Sequence, residues 1–97
     1  MTRPDKGARI ILDLVRAGAD DVVYGAWLLA PDAEWRGEAR IMLADGRVSF
    51  SGWQPGEPPA WMVALAQAFL RIEWRARRDP DPEPWPRRIH RWRETRD

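Results

Sequence analysis

Apolar and polar residues alternate with a period of two from Trp35 to Leu43. Trp35, Gly37, Ala39, Ile41 and Leu43 fall on one side, Arg36, Glu38, Arg40 and Met42 on the other. A two-residue period is that of a half-buried β-strand. Ala44-Asp45-Gly46 then supplies a hairpin turn, with glycine available for positive φ. The alternation resumes from Arg47 to Trp53, with Val48 and Phe50 inward. Upstream, Val22–Ala30 is a continuous apolar run rich in branched and aromatic residues that ends at the turn signal Pro31-Asp32. Together these segments predict a three-stranded antiparallel meander.

The N-terminal segment reads in two ways. As a helix over residues 3–17, Arg9, Asp13 and Arg16 form one polar stripe at i, i+4 and i+7, and Ile10, Ile11, Leu14 and Val15 fill the opposite side. Thr2 and Asp5 have the spacing of a capping box, and Gly18 stands where a left-handed C-cap belongs. As a strand over residues 9–16, Ile10, Leu12 and Leu14 face inward; the Ile10-Ile11 pair favours that reading and Gly7 weakens the helix. The helix is the preferred expectation, and the strand would make the sheet four-stranded.

Beyond the Pro/Gly-rich link Gln54–Pro59, Pro58-Pro59 opens a long helix running to about Arg78. Trp61, Leu65, Ala68 and Ile72 form a stripe, broadened by Met62 and Phe69, that is expected to lie on the sheet. Val63, Leu70 and Trp74 run along the other side, relieved by Gln67, Arg71 and Arg75. A helix apolar on two sides is covered on two sides. Residues 79–84, Asp-Pro-Asp-Pro-Glu-Pro, form a stiff acidic spacer. It leads to a basic-aromatic tail, residues 85–97, where Trp85, Ile89 and Trp92 have the spacing of one more short helix among Arg87, Arg88, Arg91 and Arg96. The predicted class is α+β: a small antiparallel meander packed by one long helix, in a domain of residues 1–78 followed by spacer and tail.

Composition narrows the chemistry. With 97 residues the chain holds one core, and with no cysteine it has no disulfide, thiol nucleophile or zinc–thiolate site. The absence of cysteine fits a reducing compartment. No apolar run approaches the ~20 residues of a bilayer span and the first residues lead into no signal-peptide core, so a cytoplasmic location is expected. Lys6 is the only lysine, and the net charge of +1 is split between −2 in residues 1–57 and +3 in residues 58–97. That is a mildly basic end, not the charge of a nucleic-acid specialist.

Catalytic signals are sparse. The sole histidine, His90, sits between Ile89 and Arg91 with neither nucleophile nor orienting acid at usable spacing, and Asp20-Asp21 has the look of a solvated turn. The glycines match neither phosphate-loop nor dinucleotide spacing. No cofactor, metal or catalytic residue is expected. The unusual feature is seven tryptophans, at 27, 35, 53, 61, 74, 85 and 92. Trp61 and Trp27 have a core explanation, and Trp35 and Trp53 flank the hairpin. Trp74, Trp85 and Trp92 are harder to house, and tryptophan with arginine is the pair most enriched in binding hot spots. Leu70, Arg71, Trp74, Arg75, Trp85 and Trp92 are therefore the candidate partner-binding residues.

The first functional expectation is a non-enzymatic protein-interaction or regulatory module that pairs with a second copy through the Leu70/Trp74 side of the long helix. The alternative is a nucleic-acid binder using the Arg/Trp-rich second helix and tail, where basic and aromatic residues interleave through Arg71–Arg78 and Trp85–Arg96. In element order alone, helix–strands–helix is similar to double-stranded-RNA-binding domains, but the lysine-rich start of their second helix has no counterpart here.

Overall fold

The β-period predicted for the middle of the chain is realised, and the sheet extends at its N-terminal side by two further strands. The computed structural model describes residues 7–93. Its elements are β1 (Ala8–Ala17), β2 (Asp21–Leu29), β3 (Glu34–Met42), β4 (Val48–Gln54), α1 (Ala60–Ala76) and β5 (Arg88–Arg93). They form one 5-stranded sheet in the order β4-β3-β2-β1-β5, antiparallel at every pairing. The chain leaves the β4 edge, and α1 carries it across one face before β5 pairs at the opposite edge.

The helix expected over residues 3–17 is corrected: residues 8–17 are β1, and residues 3–6, with the capping box of Thr2 and Asp5, lie outside the described residues. β1 is flanked by β2 and β5, so apolar side chains are buried on both of its faces, Ile10 and Leu12 on one and Ile11 on the other. A strand buried on both faces reads as a continuous apolar run, which hides the period of two. The polar stripe of Arg9, Asp13 and Arg16 has a strand explanation as well. Arg9 and Asp13 are two pleats apart on one face, and the register shift between Leu14 and Arg16 returns Arg16 to that face opposite Val23. Gly18 caps no helix; its N–H donates to the Asp21 carbonyl at 2.8 Å in the β1–β2 turn.

The tail is the second correction. Its Trp85/Ile89/Trp92 spacing forms no helix, and the proline spacer does not project the chain outward. Residues 88–93 add β5 to the free edge of β1, with Ile89 opposite Leu12 and only 2% exposed. The core therefore continues past the expected domain limit at residue 78. Three bonds seat this return: Arg77 Nη2 to the Pro84 carbonyl at 2.8 Å, the Tyr24 hydroxyl to the Pro86 carbonyl at 2.7 Å, and Leu14 N–H to the Arg87 carbonyl at 2.8 Å. Tyr24 is fully buried and meets Trp85 edge-on at 6.4 Å between ring centroids. Burial lifts its phenol from 10.0 to about 12.

The alternating side of β3 packs inward as read, with Ala39 and Ile41 buried and Arg36, Glu38, Arg40 and Met42 turned out. Two aromatic rings then sit on glycines. The Trp53 ring lies where a Cβ on Gly37 would be, 2.4 Å from the nearest ring atom. It reaches that face because Gly52, at φ 71, opens a bulge that places two residues of β4 opposite one of β3. The Trp74 ring lies against Gly46, 2.6 Å from where a Cβ would stand, in the Leu43–Arg47 connection. Gly46 has the positive φ expected of it, 74. Trp74 Nε1 also donates to the Leu43 carbonyl at 3.0 Å.

Gly46→Val faces both a left-handed backbone and the Trp74 ring, and is expected to cost about 2–4 kcal/mol. Gly56→Val, which meets nothing within 4 Å, is expected to stay within about 0.5 kcal/mol of the parent. Urea unfolding of the two variants side by side checks the pair. The Tyr24 phenol holds its proton more tightly in the folded chain than in the unfolded one. Its contribution is complete below about pH 10 and is lost as pH rises toward about 12. Unfolding midpoints across that window are expected to fall more steeply for the parent than for Tyr24→Phe.

Candidate interaction surface

Helix α1 begins at Pro59, whose carbonyl accepts from the N–H groups of Met62 and Val63 at 3.1 and 3.3 Å, and it turns one narrow stripe to the sheet. Met62, Ala66 and Leu70 recur every four residues and are each 0% exposed, with Val63, Phe69 and Trp74 packed beside them. Met62 and Phe69, expected on the broad edge of the sheet-facing stripe, do pack there with Leu65 half-buried beside them, but the rest of that stripe is corrected. Trp61, Ala68 and Ile72 do not lie on the sheet; Trp61 is 43% and Ile72 56% exposed. Both stripes have helical spacing and differ by about one residue's rotation, ~100°. Periodicity alone could not choose between them.

The six expected partner-binding residues are separated. Leu70 belongs to the core, so the expected Leu70/Trp74 contact between chains is corrected: that side of the helix is covered by the chain's own sheet and hairpin. Trp74 lies half-buried between Gly46 and the Arg78 guanidinium, which sits 5.1 Å above its ring. Trp85 lies half-buried between Tyr24 and Arg77, whose guanidinium is 4.9 Å from the ring. Arg75 stands on the solvent side of α1, and half-buried Arg71 lies on its flank beside residues 45–48. Trp92, half exposed, is on the opposite face of the sheet beside Arg9.

What remains uncovered on α1 is a continuous band of Trp61, Ala64, Ala68 and Ile72, with Leu65 half-buried along it. A shallow groove of about 360 Å³ runs beside it, lined by Ala64, Gln67, Ala68, Arg71, Ile72 and Arg75. The band carries positive charge only. Glu73, the single acid of α1, is engaged inward by Arg77 at 2.7 Å. Trp61, Ala68 and Arg75 are seven residues apart and so share one side of the helix; a charged residue on that side was the available signal that it faces water.

The helix-free face of the sheet has a different character. Arg16 holds Asp21 through two hydrogen bonds at 2.7 and 3.0 Å, and Arg40 adds an ion pair at 3.2 Å. Arg16, with Arg40 nearby, keeps the Asp21 carboxyl below its ordinary range. Arg88 grips Asp13 across β1–β5 at 2.6 and 3.2 Å. Arg36 stacks 4.1 Å over Trp27, whose Nε1 donates to Glu34 at 3.1 Å. Most arginines on this face thus have partners within the chain. His90 is exposed here, with Ile11 as its cross-strand neighbour. Among the described residues no three of His, Asp and Glu converge as metal ligands, and no helix is long and apolar enough to cross a membrane.

Comparison with family models, with curated proteins and with solved structures finds no match to this chain.

The two stripes of α1 are expected to respond oppositely to truncation. Leu70→Ala, emptying a fully buried position, should cost about 2–5 kcal/mol. Ile72→Ala, measured in dilute protein, should stay within about 0.5 kcal/mol of the parent. Thermal or urea unfolding of both variants distinguishes this orientation from the reverse one.

Proposed function

We propose that this chain is a non-enzymatic protein-interaction module that works by pairing with a second copy of itself through the solvent side of α1. The observation that carries the proposal is the band of Trp61, Ala68 and Ile72, with the two large side chains 43% and 56% exposed on a regular helix. Contiguous apolar surface in water is unfavourable by ~25 cal/mol per Å², and soluble monomers keep such patches small. A helix face matches another copy of itself by a two-fold axis, the commonest symmetry of soluble oligomers. Arg71 and Arg75 beside the band have no free acid on α1 to neutralise them, and the one exposed indole of the helix, Trp61, can take a single arginine of the opposite copy.

Catalysis forms no part of the proposal, because the sole imidazole has aliphatic Ile11 as its cross-strand neighbour, Ile89 before it and Arg91 after it, with no nucleophile or acid among them. The cysteine-free composition fits a reducing compartment, and the cytoplasm is the proposed location. Nucleic acid is the less favoured partner, since the arginines of the helix-free face are largely spent on Asp13, Asp21 and Trp27.

Light scattering on a size-exclusion column is expected to give a mass between one and two chains that rises with loading concentration. Trp61→Glu with Ile72→Glu should return a folded monomer at every concentration. A parent chain that stays monomeric throughout refutes the reading, and a mass increase only on addition of mixed DNA or RNA oligonucleotides replaces it with the nucleic-acid alternative.

A further inference from the structure

The two outer edges of the sheet are guarded differently. β5 carries Arg88, Arg91 and Arg93, whereas β4, Val48–Gln54, contains no charged residue and no proline. Among the described residues no strand pairs with the outer side of β4. An uncharged open edge is a template for one more strand. The Met42 N–H donates to the Arg47 carbonyl at 2.9 Å, and the ladder alternates from there, so Ser49 and Ser51 turn their backbone groups to β3. Val48 and Phe50 therefore turn theirs outward. Gly52, at φ 71, opens the bulge and ends the regular edge after Ser51. The open stretch is residues 48–51, with the N–H and C=O groups of Val48 and Phe50 to pair.

The side chains beside that stretch restrict the strand that fits. On the helix side Val48 and Phe50 are half-buried, and a neighbouring strand covers the apolar surface they still expose. Between the start of β4 and α1 lies a groove of about 280 Å³, lined by Asp45, Gly46, Arg47, Val48, Gln67 and Arg71. Arg71 is half-buried there, and its Nε is sealed from water with no acceptor among the described residues. A guanidinium left without acceptors is unfavourable, and a carboxylate is its best-matched partner. Asp45, the one acid lining the groove, accepts from the Arg47 N–H at 2.9 Å and lies 3.9 Å from the Arg47 guanidinium. The groove therefore keeps a net positive charge at Arg71.

We propose that the β4 edge takes an extended acidic segment of a partner protein as a sixth strand, its backbone pairing with Val48 and Phe50 and a helix-side carboxylate meeting Arg71. Neighbouring strands lie about 4.8 Å apart, and directly paired residues share a face. The partner residue beside Val48 thus projects into the groove, and the one beside Phe50 covers apolar surface. The fitting segment carries an acid and an apolar residue on its helix side, two positions apart. Its main chain supplies affinity and its alternate side chains supply selectivity. The β4 edge is open whether or not α1 pairs with a second copy, so the two surfaces serve different partners.

Backbone-amide NMR of the full chain, titrated with the end-blocked peptide Thr-Glu-Thr-Val-Thr-Glu-Thr, tests the assignment. Glutamate stands on both sides of the valine, so either strand direction brings an acid to the groove. The Val48 and Phe50 amides are expected to shift together with the Arg71 side-chain signal. Only every second residue of an edge partner turns its N–H to the sheet. N-methylation of one alternate set of peptide residues should therefore abolish binding, and of the other set should be tolerated. Lysine in place of both glutamates, or Arg71→Gln in the chain, should weaken binding about tenfold or more, while the same spectra show the variant folded. Arg75→Gln, outside this groove, should leave the affinity unchanged. Binding indifferent to both methylated sets overturns strand addition, and equal affinity for the lysine peptide overturns the acidic partner. Shifts at Val48 and Phe50 that grow with chain concentration alone assign the edge to a second copy and overturn it too. No shift at those amides with the peptide near millimolar overturns the proposal outright.

Discussion

The rotation of α1 about its own axis is the constraint on which the rest of the structure depends. The helix offers apolar side chains in nearly every direction, and one contact at its C-terminal end settles which of them meet the sheet. The Trp74 ring fits only over a residue without a Cβ, and Gly46 provides that place while its φ of 74 shapes the connection beneath. The indole N–H then finds the Leu43 carbonyl. With Trp74 held there, Met62, Ala66 and Leu70 must point at the sheet and Trp61, Ala68 and Ile72 must point away. The packing of the core and the exposure of the candidate surface are two consequences of one seat.

A second constraint works at the other edge. A meander with a single covering helix leaves β1 with an unpaired edge, a standing invitation to aggregation. Here β5 returns to fill it, and its burial of Ile89 contributes roughly 1.5–3 kcal/mol. The Tyr24 hydroxyl fixes where the return begins, by donating to the Pro86 carbonyl just beyond the proline spacer. The spacer's stiffness serves this closure: it limits the number of paths from the end of α1 to the β1 edge, and so lowers the entropy lost in closing them. The new outer edge is β5 itself, in which Arg88, Arg91 and Arg93 carry charge, a common guard against further strand addition.

The two exposed faces that result are chemically unlike. On the helix-free face, most arginines meet opposite charges or aromatic rings of the same chain, and Ile11 and Leu29 are fully buried there, while Trp92 and Met42 stay exposed as separate single side chains. The outer side of α1 combines exposed apolar surface with arginines that α1 itself leaves unbalanced. That contrast directs the proposed function toward the helix.

The sequence by itself determined the α+β class, the strands β2, β3 and β4, the inward and outward sides of β3, the positive φ at Gly46, and the span and two-sided character of α1. These are local properties, written in periods of two and 3.6 and in turn residues. Tertiary structure alone decided the other three points. Of the two readings the sequence left open for residues 9–16, the strand prevails because neighbours on both edges pair with it and bury both of its faces. The tail becomes β5 because an unpaired edge, distant in sequence, offers it hydrogen bonds. And the exposed side of α1 was chosen by Gly46, far along the chain from Trp74, since two apolar stripes of equal period have no order of preference until a shape they must fit is present.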